Sequence, residues 1–538
     1  MSLTNLRPDV AQHLAQRLRA FSEGFRQNLA ILGPPGSGKT YQLQQLLAQP
    51  PAKLLVVYCP LYRDSSRSFL QRFLCAVLQA GLPSAETAPS GGAAQAATQP
   101  ELTRLLSQAD SLLPRTAAAV RTAESLIARR LYGEAFTRAL DAIPVLIEER
   151  RQSCVLILDE FLFLETLGFA HAFHELGKRV MTWPAVLFIF TSSAEYRARS
   201  ILRERLQLLF GQFELLTLDA LDAETVTGWV HQQLRGVRKA SAASPFLISW
   251  LGLYPWYLTV VLKRLRELAM LSKTPELTEP LFLQTVWDLL GSPQGTLHHW
   301  CVSRTEALSH GRLGSRGLEA LLHIAQGART TTELSRRIGR ATLSGALQLL
   351  VEEGLAQRNG MCWVVPDPIL RCWLSTALME QWAGSRPDSP EVRARFEQHL
   401  RALWTRWMQA RQLSFPEQVV ELFGKFQDDT VSLDSKTGRL PKFATVATQR
   451  AGEGSTVAYL IAEGEGRRWC ATIQEHQVTE QDITHFDAFC RTQSPKPSRK
   501  VVITKTSVEP NAKLLAKAVN MWVWDADALN ALTHLYMP

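Results

Sequence analysis

Residues 33–40, Gly33-Pro34-Pro35-Gly36-Ser37-Gly38-Lys39-Thr40, constrain this chain more than any other stretch. They follow a short apolar run, Asn28 to Leu32, and precede a helical pattern, Tyr41 to Ala48. The spacing GxxxxGK[ST] between a strand and a helix serves one purpose well. Its glycines let backbone N–H groups turn inward on phosphate oxygens, and the positive end of the next helix points at them. Lys39 supplies a point charge for β- and γ-phosphates, and the Thr40 hydroxyl is a ligand for Mg²⁺. The turn demands a buried strand on one side and a helix on the other, which is α/β architecture.

The chain around it keeps that rhythm. Val10, Leu14, Leu18 and Phe21 predict a helix before the first strand; Leu54 to Cys59 reads as a second strand and Phe69 to Leu78 as another helix. The alternation predicts a parallel sheet with helices on its faces. Residues 81–100, rich in Ala, Gly, Pro and Ser with a single charge, read as a flexible insertion. Helical patterns resume from Leu102 to Glu149, and two further strands, Cys154 to Leu158 and Val186 to Thr191, bring the expected sheet to at least four. The first of these runs into Asp159-Glu160, two carboxylates at the end of a strand where open parallel sheets bind their ligands. Asp159 is expected to hold the metal through water, and Glu160 to orient or activate an attacking water. The alternative is a strand followed by an ordinary acidic turn.

With 538 residues the chain should hold about three or four domains, at a prior of ~150 residues each. A content of 46% hydrophobic and 20% charged residues excludes wholesale disorder. The net charge of +9 permits contact with nucleic acid without requiring it. The cysteines (59, 75, 154, 301, 362, 372, 470 and 490) form no CxxC pair or zinc spacing and read as reduced, buried thiols of a cytosolic protein. The first 18 residues lack the apolar core of a signal peptide. One uncharged run, Ala240 to Leu262, is long enough to cross a bilayer, but Ser244, Pro245, Ser249, Gly252 and Pro255 interrupt it. We read it as a core element and expect no membrane contact.

Together the phosphate loop and the Asp159-Glu160 strand resemble the Walker A and Walker B motifs of the AAA+ and STAND class of P-loop ATPases, in particular the archaeal-ATPase type. The resemblance implies ATP and Mg²⁺ as cofactors. It also makes "LFIFTSS", residues 187–193, similar to the sensor strand of that class, with Thr191 or Ser192 touching the γ-phosphate or the attacking water. "WLGLYPWYL", residues 250–258, resembles the G-x-P-x-x-L lid signature, which gives Gly252 and Pro255 a place near the nucleotide base. "FELLTLDALDAETVTGWV", residues 213–230, is similar to the strand and helix leading into that lid. Where relatives commonly read Gly-Arg, with an arginine that senses γ-phosphate, this chain reads Gly211-Gln212. Arg197, Arg199, Arg203 and Arg205 lie upstream as substitutes or as a solvated basic helix face.

Residues 318–365 predict three helices and a hairpin that resemble a winged helix-turn-helix, with Leu334, Ile338, Leu343, Leu347 and Leu350 as its core and Gly354 ending the third helix. As a reader of double-stranded DNA it would set Thr342, Ser344 and Gln348 at base edges and Arg336, Arg337, Arg340 and Arg358 on phosphates; the alternative is a packing module. "VVPDPILRCWL", residues 364–374, resembles the stretch that follows this module in archaeal-type ATPases.

A break at residues 383–391 leads to a tail that resembles a restriction-endonuclease-like fold, with Glu417 as its helix glutamate and residues 523–536 as its close. The D…(D/E)-x-K set is missing: Tyr459 stands for the Asp, and Thr472 and Gln474 for the carboxylate and Lys. Glu463, Glu475 and His476 are an alternative metal set, and Arg467, Arg468, Lys496 and Arg499 are candidate phosphate contacts or plain surface charges. The expected layout is therefore an ATPase core over 1–220, a helical lid over 221–310, a winged helix over 311–382 and a degenerate nuclease fold over 391–538. Three functions fit it: a cytoplasmic, Mg²⁺-dependent switch ATPase whose C-terminal modules engage nucleic acid, a protein partner or another copy; a nucleotide-dependent DNA nuclease; and a non-hydrolysing ATP-bound scaffold.

Overall fold

The computed structural model describes residues 6–48, 53–83, 99–204, 213–272, 275–382, 384, 386, 389–433, 436–450 and 457–536. It divides into two compact units, Met1–Leu277 with Glu352–Gly354, and Thr278–Val351 with Leu355–Pro538.

The first unit is the expected α/β layer structure. Helix α1 (Pro8–Ser22) leads into β1 (Asn28–Leu32), α2 (Lys39–Ala48), β2 (Leu54–Pro60) and α3 (Ser66–Gly81). Three helices follow, α4 (Gln99–Leu112), α5 (Pro114–Ala128) and α6 (Tyr132–Arg150). Then come β3 (Ser153–Asp159), α7 (Ala172–Thr182), β4 (Val186–Ser192), α8 (Glu195–Glu204) and β5 (Phe213–Thr217). The five strands are all parallel, in the order β2-β3-β4-β1-β5. Helices cover both faces, so the strands are apolar on both sides. Leu29, Ile31, Val155, Ile157, Leu187 and Ile189 pack with Val10, Leu14 and Leu18 of α1. Leu156, Leu158, Phe188 and Phe190 pack on the other face with α3 to α7. The fifth strand joins through β1, pairing Asn28 with Phe213 and Leu32 with Thr217. Of the span read as an insertion, 84–98 lie outside the described residues, and α3 and α4 occupy its two ends.

Helices α9 (Ala223–Gln233), α10 (Ala240–Leu251) and α11 (Pro255–Leu271) complete this unit. The uncharged run at 240–262 is thus two helices, because Gly252 at φ 69° and Pro255 at the start of α11 break it. Among the described residues no helix is long and apolar enough to cross a membrane.

The second unit begins with α12 (Glu279–Val286) and α13 (Thr296–Thr305), then α14 (Gly311–Ala325), α15 (Thr331–Ile338) and α16 (Leu343–Glu352), followed by the hairpin β6 (Gln357–Asn359) and β7 (Cys362–Val364). Thr330 and Glu333 form a capping box that starts α15, and Leu334, Ile338, Leu343, Leu347 and Leu350 are buried. Helices α17 (Pro368–Trp373), α18 (Met379–Trp382), α19 (Pro390–Gln412) and α20 (Phe415–Gly424) lead to a hairpin, β8 (Asp429–Leu433) with β9 (Lys436–Leu440). A mixed sheet follows: β10 (Thr445–Arg450), β11 (Ala458–Gly464), β12 (Arg467–Gln474), β13 (Arg499–Thr504) and β14 (Met521–Trp524), ordered as numbered. The first two pairings are antiparallel and the last two parallel. Helices α20 and α23 (Ala526–Tyr536) cover one face; α21 (Glu480–Thr492) and α22 (Pro510–Ala518) cover the other.

Candidate functional site

The parallel register of the first sheet brings the sequence-predicted residues together. Leu32 is opposite Ser192 and Pro60 opposite Asp159, so β1, β2, β3 and β4 all end at one edge. The loop from Gly33 to Gly38 leaves from that edge. Gly33 has no room for a side chain, since a Cβ there would lie 2.7 Å from the Leu218 carbonyl oxygen. Gly36 and Gly38 hold φ angles of 78° and 98°, in the left-handed region that glycine adopts freely. Among the described residues a Cβ on Gly38 would meet no atom within 4 Å, and the buried Ser37 hydroxyl has no hydrogen-bond partner. Open space, two glycines in the left-handed region and an orphan hydroxyl in one loop fit a phosphate group.

Lys39 is buried, and its Nζ donates to the carbonyls of Gly33 at 2.8 Å and Pro34 at 3.1 Å and to Ser193 Oγ at 2.8 Å. The Thr40 hydroxyl donates to Asp159 Oδ2 at 2.9 Å. Tyr58 donates to the same oxygen at 3.0 Å, and Thr191 donates to Oδ1. Burial, and next the neighbouring Glu160, push the Asp159 carboxyl above its ordinary range against these three donors. Burial and Asp159 likewise hold Tyr58 as a protonated donor. Among the described residues no three His, Cys, Asp or Glu side chains gather as a metal cage. The donor pair of one hydroxyl and one carboxylate fits Mg²⁺, which takes few protein ligands and completes its shell with water and phosphate oxygens.

Glu160 follows Asp159 in the left-handed region, φ 57° and ψ 49°, which turns its side chain out of the strand line. Its carboxylate accepts from the Ser193 N–H at 2.8 Å and from the Ser193 hydroxyl, and lies 3.8 Å from Lys39 Nζ. Thr191 Oγ1 accepts from the Glu160 N–H at 2.9 Å. Ser192 faces elsewhere: its hydroxyl accepts from the Ala194 N–H at 3.1 Å. Pro255 is adjacent, as the Trp256 N–H donates to the Gly36 carbonyl at 3.3 Å and Pro255 is buried beside it.

Three residues of this site carry no signal in the sequence. Ser193 touches both Lys39 and Glu160, yet nothing separates it from Ser192 except where the strand ends. Tyr58 reaches Asp159 only through the register of β2 on β3. Arg7 donates to the Ser37 carbonyl at 3.2 Å and to the Asp219 carbonyl, tying the phosphate loop to the exit of β5. Of the arginines considered as γ-phosphate sensors, Arg197 pairs with Glu165 at 2.5 Å, and Arg199 with Glu195 at 2.7 Å and Thr217 at 2.8 Å. Arg205, Gly211 and Gln212 lie outside the described residues.

Residues 24–195 match the family described as "AAA domain". The first unit therefore carries an AAA-type P-loop ATPase domain. Solved structures with a distant likeness to the chain include three proteins. One is the Walker-type ATPase of Pyrococcus abyssi, at 12% identity and a TM-score of 0.44, covering 68% of this chain and 95% of that one. Another is the Aeropyrum pernix Orc1 protein in complex with DNA, at 14% and 0.39, covering 69% and 92%. A third is the Thermotoga maritima RuvB Holliday junction branch migration motor, at 14% and 0.32, covering 72% and 96%. No curated protein matches the chain.

The C-terminal candidates are placed differently. Arg336, Arg337 and Arg340 are exposed and pair with no carboxylate among the described residues. Thr342, just before α16, and Ser344 and Gln348 within it are exposed as well. In the mixed sheet, Tyr459 stacks on Phe489 at 4.1 Å, and Thr472 and Gln474 are buried. Glu417 caps its own helix through the Ser414 N–H at 2.6 Å. Glu463 holds Arg468 at 2.5 Å near one end of β12, while Glu475 and His476 follow its other end, about 20 Å along a strand. The alternative metal set is not brought together.

Proposed function

We propose that this chain is an ATP-dependent switch: an ATPase of the STAND or archaeal-ATPase kind that binds Mg²⁺·ATP at residues 33–40, turns it over slowly, and changes conformation or assembly as it does so. The observation that carries the reading is the 2.9 Å contact of the Thr40 hydroxyl with the Asp159 carboxylate at the mouth of the phosphate loop, with Glu160 as the next residue. In this reading Thr40 and Asp159 hold the cation, the latter through water. When bound, the ion neutralises and orients the phosphate oxygens. Lys39 leaves the Gly33 and Pro34 carbonyls for the β- and γ-phosphates, and Glu160 takes a proton from the attacking water. Thr191 holds the Asp159 carboxylate and the Glu160 backbone N–H by its two hydrogen bonds, and Pro255 borders the base.

The C-terminal unit gives the switch its partner. The three-helix and hairpin module acts as a winged helix on double-stranded DNA, supported by the unpaired charges of Arg336, Arg337 and Arg340. The mixed sheet, with its second strand antiparallel to its neighbours, supports a nuclease-like fold. The nuclease reading is disfavoured because Tyr459, Thr472 and Gln474 bring no carboxylate to it.

The test is steady-state phosphate release with ATP binding measured alongside. The wild type turns ATP over with Mg²⁺; Glu160→Gln keeps binding and loses at least about a hundredfold of the rate, the usual worth of a general base; Lys39→Ala loses binding. Binding without turnover in the wild type would leave the scaffold reading in its place. DNA cleaved by Glu160→Gln would favour the nuclease.

A further inference from the structure

Helix α19 has 23 residues, a length of about 34 Å at 1.5 Å per residue, and its two halves have different surroundings. In the first half Val392, Phe396 and Leu400 are buried. Phe396 meets the Trp287 ring edge-on at 5.4 Å, and Arg393 lies 5.5 Å from the same ring. From Arg401 to Gln412 no residue is buried. The apolar stripe nevertheless continues, as Phe396, Leu400, Trp404 and Trp407 follow one another at helical spacing. Trp404 reaches Phe282 at 5.9 Å and Trp407 at 6.0 Å. Beyond them Arg411 lies 5.0 Å from the Trp407 ring, and Met408 is 41% exposed.

Charge separates this half from an ordinary surface helix. Residues 401–412 contain Arg401, Arg406 and Arg411 and no Asp or Glu. Arg401 reaches Glu279 at 2.9 Å and stays half exposed. Arg406 turns its Nε to the Ala402 carbonyl and pairs with no carboxylate among the described residues. All three cations are guanidinium groups, which hold phosphate bidentately and stack on flat rings.

We propose that residues 401–412 are a docking surface for single-stranded nucleic acid, with unpaired bases stacking on Trp404 and Trp407 and the phosphates held by Arg406 and Arg411. Aromatic rings beside a run of cations are what a strand of exposed bases binds. A lipid surface fits less well, because Arg411 interrupts the stripe one turn after Trp407, and a lipid-facing helix needs that stripe unbroken. This site is separate from the winged helix and needs no bound nucleotide.

The test is fluorescence anisotropy of a labelled oligothymidylate titrated with the full chain at low and high salt, beside a labelled duplex. The wild type binds the single strand, more weakly as salt rises. Arg406→Glu with Arg411→Glu weakens single-strand binding at least about tenfold and leaves duplex binding and the thermal shift on adding ATP unchanged. Trp407→Ala loses about tenfold while Trp407→Phe recovers most of it. Arg336→Glu with Arg337→Glu leaves single-strand binding intact, so failure of the winged-helix reading and failure of this one are told apart. An absence of oligothymidylate binding by the wild type overturns the proposal. So does undiminished binding by the Arg406/Arg411 variant, or cosedimentation with phosphatidylserine vesicles at salt where the oligonucleotide is not held.

Discussion

Asp159 is buried beside a second carboxylate, and its environment resists the charge that a cation requires. A carboxyl whose folded pKa lies above its unfolded value, ordinarily about 3.9, adds stability below that unfolded value and loses it as pH rises through the folded one. Burial and Glu160 set that direction here, so at neutral pH the ionised form is a strain that a bound cation relieves. In the proposed site protons and Mg²⁺ then compete for the same oxygen. The increment in ATP affinity gained by adding Mg²⁺ is expected to shrink as pH falls from 8 toward 5, starting above the ordinary carboxylate range. Calorimetry with and without Mg²⁺ measures it. In Asp159→Asn the increment should be small and flat; an unchanged slope in that variant would assign the effect to the phosphate itself. Ser193 allows a second test, because it contacts both Lys39 and Glu160. Hydrogen bonds to charged groups contribute ~1.5–3 kcal/mol, so Ser193→Ala should lower kcat by about tenfold or more with ATP affinity little changed, and Ser193→Thr should restore it. A Ser193→Ala enzyme with wild-type kcat would show that the serine only fills space.

At the scale of elements, the phosphate loop depends on the seating of β5. The Leu218 N–H donates to the Leu32 carbonyl at 2.7 Å, and the close approach leaves no room on Gly33. Gly33→Ala must move β1 from β5, at ~1–3 kcal/mol for overpacking, so calorimetric melting should fall by several degrees at roughly 2–4 °C per kcal/mol. An unchanged melting temperature would mean that β5 is not held there. This same edge shows what the sequence can and cannot disclose. β1, β3 and β4 are legible because both of their faces are buried, which writes continuous apolar runs such as Val186 to Phe190. β5 is less so: at the sheet edge its Glu214 pairs with Arg17 at 2.7 Å and His13 at 3.1 Å, and a charge in mid-strand breaks the pattern. The hairpin β8–β9 and strand β10 had no apolar run to announce them. Lys39, Thr40, Asp159 and Glu160 were readable because their spacing is chemical. Ser193, Tyr58 and Arg7 were not, because only tertiary register brings them in.

At the scale of the whole molecule the question is which cation meets the charge that develops on the phosphates. In the proposed reaction Lys39 is one; an arginine, in cis or from another molecule, is usually the second and contributes about 10³–10⁵ in rate. Arg197 and Arg199 are held by Glu165 and Glu195, and Arg7 gives its donors to two backbone carbonyls. If a second copy supplies that guanidinium, turnover per chain depends on encounter between chains. The expected outcome is that phosphate release per chain rises with protein concentration in Mg²⁺·ATP and levels off, over the range in which mass photometry shows the 60.2 kDa species giving way to multiples. Glu160→Gln, which binds without turnover, should hold the multiples; Lys39→Ala should stay at the mass of one chain. Mixing supplies the decisive arm. Adding Lys39→Ala chains, which cannot bind ATP but keep every arginine, to dilute wild type should raise the wild-type rate. A rate per chain that is flat with concentration and indifferent to added Lys39→Ala would place the second cation within the same chain.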